Sequence, residues 1–305
     1  MQKVWFDRRQ NENAVLLHHL ARLALLLESS RHEDSLQKAR WQEYLAEYLA
    51  ARLAEPFSHC QNLLRQHEIL TYLADKRRHL TLTTEQARQL EQQFQWAQED
   101  DYRQYSMSDC HSRILAAYHF GDYSNAYARL ARHTVPGRHR LIVRQLQSHN
   151  ESRLLDTAGS AGNTHFLDSH QTRPIELVAR LRQGNTTVVL FCDLPPAQAE
   201  TIEIDLLGQP ARFPRALADI ALLAACPILP VIAYHDGSRH QLQTGRLIQA
   251  RAVHSESREA ATRRITQRLV SFFERHFIRH PEQWRYLNLL PAYYDIAASP
   301  DVQHA

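Results

Sequence analysis

Apolar side chains recur at helical spacing through the first third of the chain. Leucines over residues 16–27 and apolar residues over 44–53 repeat every three or four positions, as one buried face of an α-helix requires. Thr83-Thr84-Glu85-Gln86 favours a helix start, and good helix formers follow it as far as Trp96. The pattern predicts a helical N-terminal region over residues 1–105.

From about Ser106 onward, short apolar runs alternate with helical segments. The runs that predict buried strands cover residues 114–117, 141–143, 186–192 and 228–233, and residues 241–248 alternate like an exposed strand. The helical patterns cover residues 123–132, 174–181, 257–279 and a stretch that Phe213-Pro214 opens and Ala225 ends. Strands that are apolar on both faces and alternate with helices predict an α/β fold, with a mostly parallel or mixed sheet covered by helices on both faces. We assign residues 106–305 to this domain, either separate from the helical region or continuous with it.

The composition fits a folded globular protein. Of the 305 residues, 44% are hydrophobic, and the net charge is +3. Four cysteines without a Cys-x-x-Cys pair predict neither a disulfide framework nor a zinc ribbon, and they favour a reducing compartment. The polar residues 1–12 predict no secretory signal. The most apolar stretch, residues 14–27, is shorter than the roughly 20 residues that a membrane span needs. We therefore expect a protein that is soluble or lies on a membrane surface.

Several kinds of binding site find little support in the sequence. His276 and His280 lie one helical turn apart, but no His-Glu-x-x-His pattern and no third ligand accompany them, so we predict no metal site. Eight glycines form no phosphate-binding loop, and no basic run with interleaved aromatic residues indicates nucleic-acid binding. Almost all positive charge is arginine, whose planar fork suits phosphates and carboxylates.

Polar side chains follow two of the predicted buried strands. His119 comes after the first apolar run, and Asp193 follows the run over residues 186–192. Ligands in open α/β sheets bind beyond the carboxyl ends of the strands, so both side chains should meet at one edge. A histidine with a carboxylate can deprotonate a hydroxyl as a general base. The positions alone equally allow structural roles, with His119 capping a strand and Asp193 forming a turn with Pro195.

The segment Tyr118-His119-Phe120-Gly121-Asp122-Tyr123-Ser124 resembles the His-Phe-Gly-Asn-Trp-Glu block of bacterial lipid A late acyltransferases, within the lysophospholipid acyltransferase superfamily. Further segments resemble family markers in the same order. They are Arg173-Pro174-Ile175 through Gly184, Val188 to Asp193, Leu207-Gly208-Gln209-Pro210-Ala211, Pro227 to Val231, and His280-Pro281-Glu282-Gln283-Trp284. The resemblance covers roughly residues 105–290 and implies acyl transfer to a lipid hydroxyl.

One position departs from the family pattern. The family places an acid five residues after its histidine, where the acid orients the imidazole, whereas this chain has Ser124 there. Serine cannot stabilise an imidazolium by charge. Asp122, which stands where the family has a neutral polar residue, or Asp193 could take over that role, and the sequence leaves both open.

In lacking this acid, the chain resembles a divergent branch of the family, the lipid A glycyltransferases of polymyxin-resistance systems. That resemblance implies transfer of glycine from the phosphopantetheine thioester of a carrier protein to a hydroxyl of lipid A, at the cytoplasmic face of the inner membrane, with no bound cofactor. His119 is then the expected base, with Asp122 or Asp193 orienting it. The expected substrate-binding residues are Arg173, Arg212, Arg215, Tyr123 and Ser124.

The sequence leaves two alternatives open. The first is a fatty acyltransferase of the ordinary family type, in which a relocated acid serves His119. The second is an inactive relative that binds lipid or carrier protein without turnover, because a broken dyad often means that activity has been lost.

Overall fold

The structure, a computed structural model, describes residues 33–79, 89, 92–106, 112–132, 139–144, 164–169, 171–253 and 255–294. The leucine-rich helix predicted over residues 14–27 and the helix start at Thr83 lie outside these residues, and so does Cys110.

Helices and strands alternate through most of the described chain. In chain order they are α1 (Glu33–Leu53), α2 (Phe57–His79), β1 (Phe94–Trp96), α3 (Glu99–Ser106), β2 (Arg113–Ala117), α4 (Tyr123–Arg132), β3 (His139–Arg144), β4 (Thr164–Asp168), α5 (Pro174–Arg182), β5 (Thr186–Phe191), β6 (Thr201–Leu206), β7 (Gln209–Pro214), α6 (Ala216–Ala224), β8 (Ile228–His235), β9 (His240–Thr244) and α7 (Arg258–Phe277). Short 3₁₀ segments cover Pro196–Gln198, Pro281–Gln283 and Leu287–Tyr294.

Seven of the described strands form one sheet in the order β1-β9-β8-β2-β5-β3-β4, and β6 and β7 form a separate antiparallel pair. Within the larger sheet, β8 and β9 pair in antiparallel fashion, and the other neighbouring strands run parallel. The predicted α/β class with a mostly parallel mixed sheet and a helical N-terminal region is therefore confirmed.

The central strand β2 shows why the sheet is covered on both faces. All five of its residues are buried, and successive side chains of a strand point to opposite faces. Ile114 and Ala116 join a core cluster that also contains residues of α5, α6 and α7, whereas Leu115 and Ala117 join a second cluster with residues of α3 and α4. A continuous apolar run is the pattern expected of a strand buried on both faces.

The N-terminal helices pack against the same body. Leu45 of α1 and Leu64 of α2 belong to the larger core cluster, together with Ile114 of the central strand. The ring Nδ1 of His67 on α2 lies 3.1 Å from the main-chain oxygen of Glu282. Burial lowers the pKa of His67 to about 4, so this imidazole is neutral at pH 7 and Nδ1 donates the proton.

The structure corrects three of the predicted elements. Helix does not continue to residue 105, because residues 94–96 form β1, whose buried Phe94 pairs with His240 of β9. Phe213-Pro214 ends β7 rather than opening a helix, and α6 begins only at Ala216. The strand predicted over residues 241–248 spans His240–Thr244 instead, and Ile248 forms only an isolated bridge with Ile228.

Candidate functional site

Strand register brings the ends of β2 and β5 together. These neighbouring strands run parallel, and Ala117, the last residue of β2, pairs with Phe191, the last residue of β5. His119 and Asp193 each lie two residues beyond that pair. They therefore leave the same edge of the sheet side by side, as the strand-end argument from the sequence predicted.

His119 and Asp193 form a closely coupled pair. The ring Nδ1 of His119 lies 2.8 Å from Oδ1 of Asp193, and the main-chain N–H of His119 donates to Oδ2 at 2.8 Å. An ionised carboxylate can only accept hydrogen bonds, so Nδ1 carries the proton and Nε2 presents a lone pair. The arrangement is that of a general base whose tautomer is set by a buried acid.

Two residues that follow α7 hold Asp193 in place. The indole N–H of Trp284 donates to Oδ2 of Asp193 at 3.0 Å, and the hydroxyl of Tyr293 donates to the main-chain oxygen of Asp193 at 2.7 Å. All three residues are fully buried. Three N–H donors to the carboxylate compensate the burial of its negative charge, which would be costly without partners. They are the main-chain N–H and the ring Nδ1–H of His119 and the indole N–H of Trp284. Burial also raises the pKa of Tyr293 well above its usual range, so its hydroxyl stays protonated and donates.

Aromatic rings enclose the imidazole of His119. Phe191 stacks on it with a centroid separation of 3.9 Å, and the rings of Tyr123 and Tyr286 meet it at steep angles at 4.9 and 5.0 Å. The side chain of His119 is 11% exposed. A small part of the imidazole is therefore exposed, and the rest is shielded from water.

A glycine turn holds the His119 segment against the rest of the site. Gly121 has φ +56°, and a Cβ at this position would lie 2.8 Å from the main-chain oxygen of Ala233. The N–H of Gly121 donates to the main-chain oxygen of Gln283 at 2.9 Å, and the N–H of Arg285 donates to the main-chain oxygen of His119 at 2.9 Å. Only glycine adopts this conformation at such close approach without strain.

Cys192 lies between the strand end and Asp193 but is unsuited to be a nucleophile. Its thiol is buried and donates to the main-chain oxygen of Ala117 at 3.2 Å. Burial, reinforced by the negative charge of Asp193, raises the pKa of this thiol well above its usual range. The thiolate is the reactive form of cysteine, so a covalent acyl-cysteine intermediate is disfavoured.

The structure favours one of the two carboxylates that the sequence left open. Asp122 accepts a hydrogen bond from the side-chain amide of Asn125 at 2.8 Å, and its main-chain oxygen accepts from the N–H of Ala126 at the start of α4. It thus serves the beginning of that helix, as an N-cap does. The acid that contacts the ring of His119 is Asp193, while Ser124 lies in the first turn of α4.

The bacterial lipid A biosynthesis acyltransferase model matches residues 80–290. The match exceeds half of the chain and includes His119, Asp193 and Trp284. The chain belongs to this family. No curated protein matches it significantly. Membership supports an acyltransferase that acts on lipid A.

The three arginines expected to bind substrate occupy different places in this acyltransferase. Arg173 precedes α5 at the same edge of the sheet as His119, and its Nε pairs with Glu176 at 2.9 Å. Arg215 precedes α6 and pairs with Asp219 and Glu259. Arg212 lies on the exposed face of β7 and lines a cavity. The contacts described for these three arginines do not include the ring of His119. Among the expected substrate-binding residues, Tyr123 does contact that ring.

Neither a metal site nor a membrane span is found in the described parts of this acyltransferase. Across those segments, no group of three or more histidine, cysteine or acidic side chains could hold a metal ion. His276 is buried, and its ring contacts the main-chain oxygen of Phe272 and the side chain of Gln243. No helix in the described ranges is long and apolar enough to cross a bilayer.

Sequence reasoning missed four residues that shape the site of this acyltransferase: Trp284, Tyr293, Phe191 and Tyr286. In the sequence Trp284 stands out only as part of a family marker, and its indole reaches a carboxylate 91 positions earlier in the chain. The marker His280-Pro281-Glu282-Gln283-Trp284 was the signal that could have identified it.

We expect Trp284→Phe to lower kcat about tenfold and to lower the melting temperature by several degrees, while the KM values stay close to wild type. Phenylalanine keeps the ring packing against Phe273 and Phe277 but removes a hydrogen bond to a charged group, which typically contributes about 1.5–3 kcal/mol. Steady-state kinetics and thermal unfolding of the full chain measure the effects. Trp96→Phe, on β1, is the matched control and should leave kcat unchanged. A lowered melting temperature together with an unchanged kcat would show that Trp284 has a purely structural role.

Proposed function

We propose that the chain transfers a glycyl group from the phosphopantetheine thioester of a carrier protein to a hydroxyl of lipid A. The product carries an added ammonium, which lowers the negative charge of the cell surface and would confer polymyxin resistance. The protein would act as a peripheral enzyme at the cytoplasmic face of the inner membrane. The observation that carries the proposal is the hydrogen-bonded pair of His119 and Asp193, which supplies a base although Ser124 replaces the usual acid.

The reaction follows from the chemistry of this pair. Nε2 of His119 takes the proton of the lipid hydroxyl as its oxygen attacks the thioester carbonyl. Asp193 stabilises the imidazolium that forms, as the aspartate of a catalytic triad does. The tetrahedral intermediate collapses by breaking the C–S bond, and the imidazolium returns the proton to the departing sulfur. The products are a glycyl ester of the lipid and a free phosphopantetheine thiol.

The surroundings of His119 support an aminoacyl donor over a fatty one. A glycyl thioester carries an ammonium beside its carbonyl, whereas a fatty acyl thioester is uncharged there. Tyr123 and Tyr286 both lie at about 5 Å from the imidazole and are partly exposed. Tyrosine faces attract cations, so we expect these two rings beside the base to favour the ammonium of a glycyl donor.

Two alternatives have support of their own. The family match favours transfer of a fatty acyl group by His119 and Asp193, since the family model describes lipid A biosynthesis acyltransferases in general. An inactive relative that binds lipid or carrier protein is favoured by the loss of the acid at Ser124. The two alternatives differ in the turnover of a loaded carrier protein that they predict. The first predicts transfer of a fatty acyl group, and the second predicts no turnover.

Purified protein, offered glycyl-loaded or lauroyl-loaded carrier protein with lipid A, is expected to transfer glycine roughly 100-fold faster, because discrimination by charge and size in one pocket reaches this order. Mass spectrometry of the lipid identifies the added group. His119→Ala with the glycyl donor provides the blank. Faster lauroyl transfer would favour the fatty acyltransferase, and lipid binding without turnover of either donor would favour the inactive relative.

A further inference from the structure

A cavity of about 230 Å³ lies between the end of α1, the β6–β7 pair and the last 3₁₀ segment. Two arginines, Arg52 and Arg212, contribute to its lining together with Glu203 and Gln209. Tyr293 and Tyr294 line it from the C-terminal segment. The cavity therefore combines cationic groups with aromatic walls.

The charges of this lining favour a single negative charge as ligand. Glu203 faces Arg212 directly across the β6–β7 pair, so the two arginines and this carboxylate leave one positive charge in excess. Arg52 is held in place by two rings, because its guanidinium lies 4.4 Å from the ring centroid of Tyr294 and 4.9 Å from that of Tyr48. A guanidinium that is already oriented loses little freedom when it binds an oxyanion.

One aromatic residue connects the cavity to the catalytic pair. Tyr293 lines the cavity, and its hydroxyl donates to the main-chain oxygen of Asp193 at 2.7 Å. The carboxylate of Asp193 in turn contacts His119. The hydroxyl of Tyr294 donates to the main-chain oxygen of Leu206 at 3.0 Å, which ties the same segment to β6. Tyr293 therefore contacts both the cavity and Asp193.

We propose that this cavity binds the phosphodiester of the carrier protein's phosphopantetheine arm. A phosphodiester carries one negative charge, which matches the single excess positive charge of the lining. The guanidinium group of an arginine can also bind two phosphate oxygens at once. The arm is narrow, as a cavity of this size requires. Its phosphate would be anchored on the far side of Tyr293 from Asp193. The assignment rests on the proposed function, because it takes a carrier-protein thioester as the donor.

Arg52→Gln and Arg212→Gln in the full chain test the assignment. Wild type is expected to bind holo-carrier, which has the arm, at least about tenfold more tightly than apo-carrier, and each variant should lose most of this preference. In turnover, the KM for the loaded carrier should rise by a similar factor, while kcat and the KM for lipid A remain. Arg180→Gln, an exposed arginine near the end of α5, is the matched control.

The outcomes separate the two proposals. Variants that keep the holo-over-apo preference would overturn the cavity assignment, and so would a raised KM for lipid A with an unchanged KM for the carrier. A wild-type protein that shows no preference for holo-carrier would also overturn it. If the variants lose the preference but wild type transfers no glycine, the cavity assignment stands and the glycyl proposal fails.

Discussion

His119→Ala is expected to lower the rate of group transfer to lipid A by roughly 10²–10⁴-fold, the usual contribution of a general base. The loss should appear in kcat, because the ring of His119 acts on the proton that moves in the transition state. Single-turnover rates with loaded carrier protein, followed by mass spectrometry of lipid A, give the measurement.

A second substitution separates the base from its hydrogen bond. His119→Asn retains an N–H donor near the position of Nδ1, which lies 2.8 Å from Asp193, but it has no counterpart of Nε2. We expect this variant to keep the stability of the wild type and to be as inactive as His119→Ala. His139→Ala, at an exposed position at the start of β3, should retain full activity. Substantial transfer by His119→Asn would contradict the assignment of Nε2 as the base.

Asp193→Asn should reduce transfer by a similar factor, roughly 10²–10⁴-fold, although the side chain keeps its size. Oδ2 of Asp193 accepts from two fixed donors, the N–H of His119 and the indole N–H of Trp284. An asparagine will direct its oxygen to these two donors, so its amide N–H₂ must face Nδ1 of His119. Nδ1 then has to accept, the ring proton moves to Nε2, and the lone pair that serves as the base is lost.

Asp122→Asn discriminates between the two carboxylates. Because Asp122 contacts Asn125 and the first turn of α4, we expect a loss of transfer of less than about tenfold, with a small effect on helix stability. Kinetics of both variants with the same loaded carrier provide the comparison. A larger loss for Asp122→Asn than for Asp193→Asn would return the role of the acid to Asp122.

The pairing of His119 with Asp193 could be predicted from the sequence because it depends on local rules. Each residue follows an apolar run, and the carboxyl ends of adjacent parallel strands lie at one edge. The choice between Asp122 and Asp193 could not be made, because it depends on the direction in which a helix leaves the strand. Asp122 precedes α4 and is occupied there. The sequence favours Asp122 as an N-cap of this helix, but it does not show that the ring of His119 turns to Asp193 instead.

Other features escaped prediction because distant contacts decide them. Three residues suffice for β1 only because Phe94 finds a place in the core beside β9. The strand β7 contains Pro210 and ends with Pro214, and proline before an alanine-rich stretch favours a helix start on local grounds. Proline is tolerated there because β6 and β7 form a two-stranded pair, in which β7 has only β6 as a paired neighbour.

The late position of Trp284 and Tyr293 in the chain affects how this enzyme is made. Both hold Asp193 from beyond α7, so a growing polypeptide can complete the described strands β1 to β9 and still lack a competent base. Catalytic ability would be acquired only once residues 284–293 have left the ribosome, and a product that ends before them would lack both contacts that hold Asp193 in place.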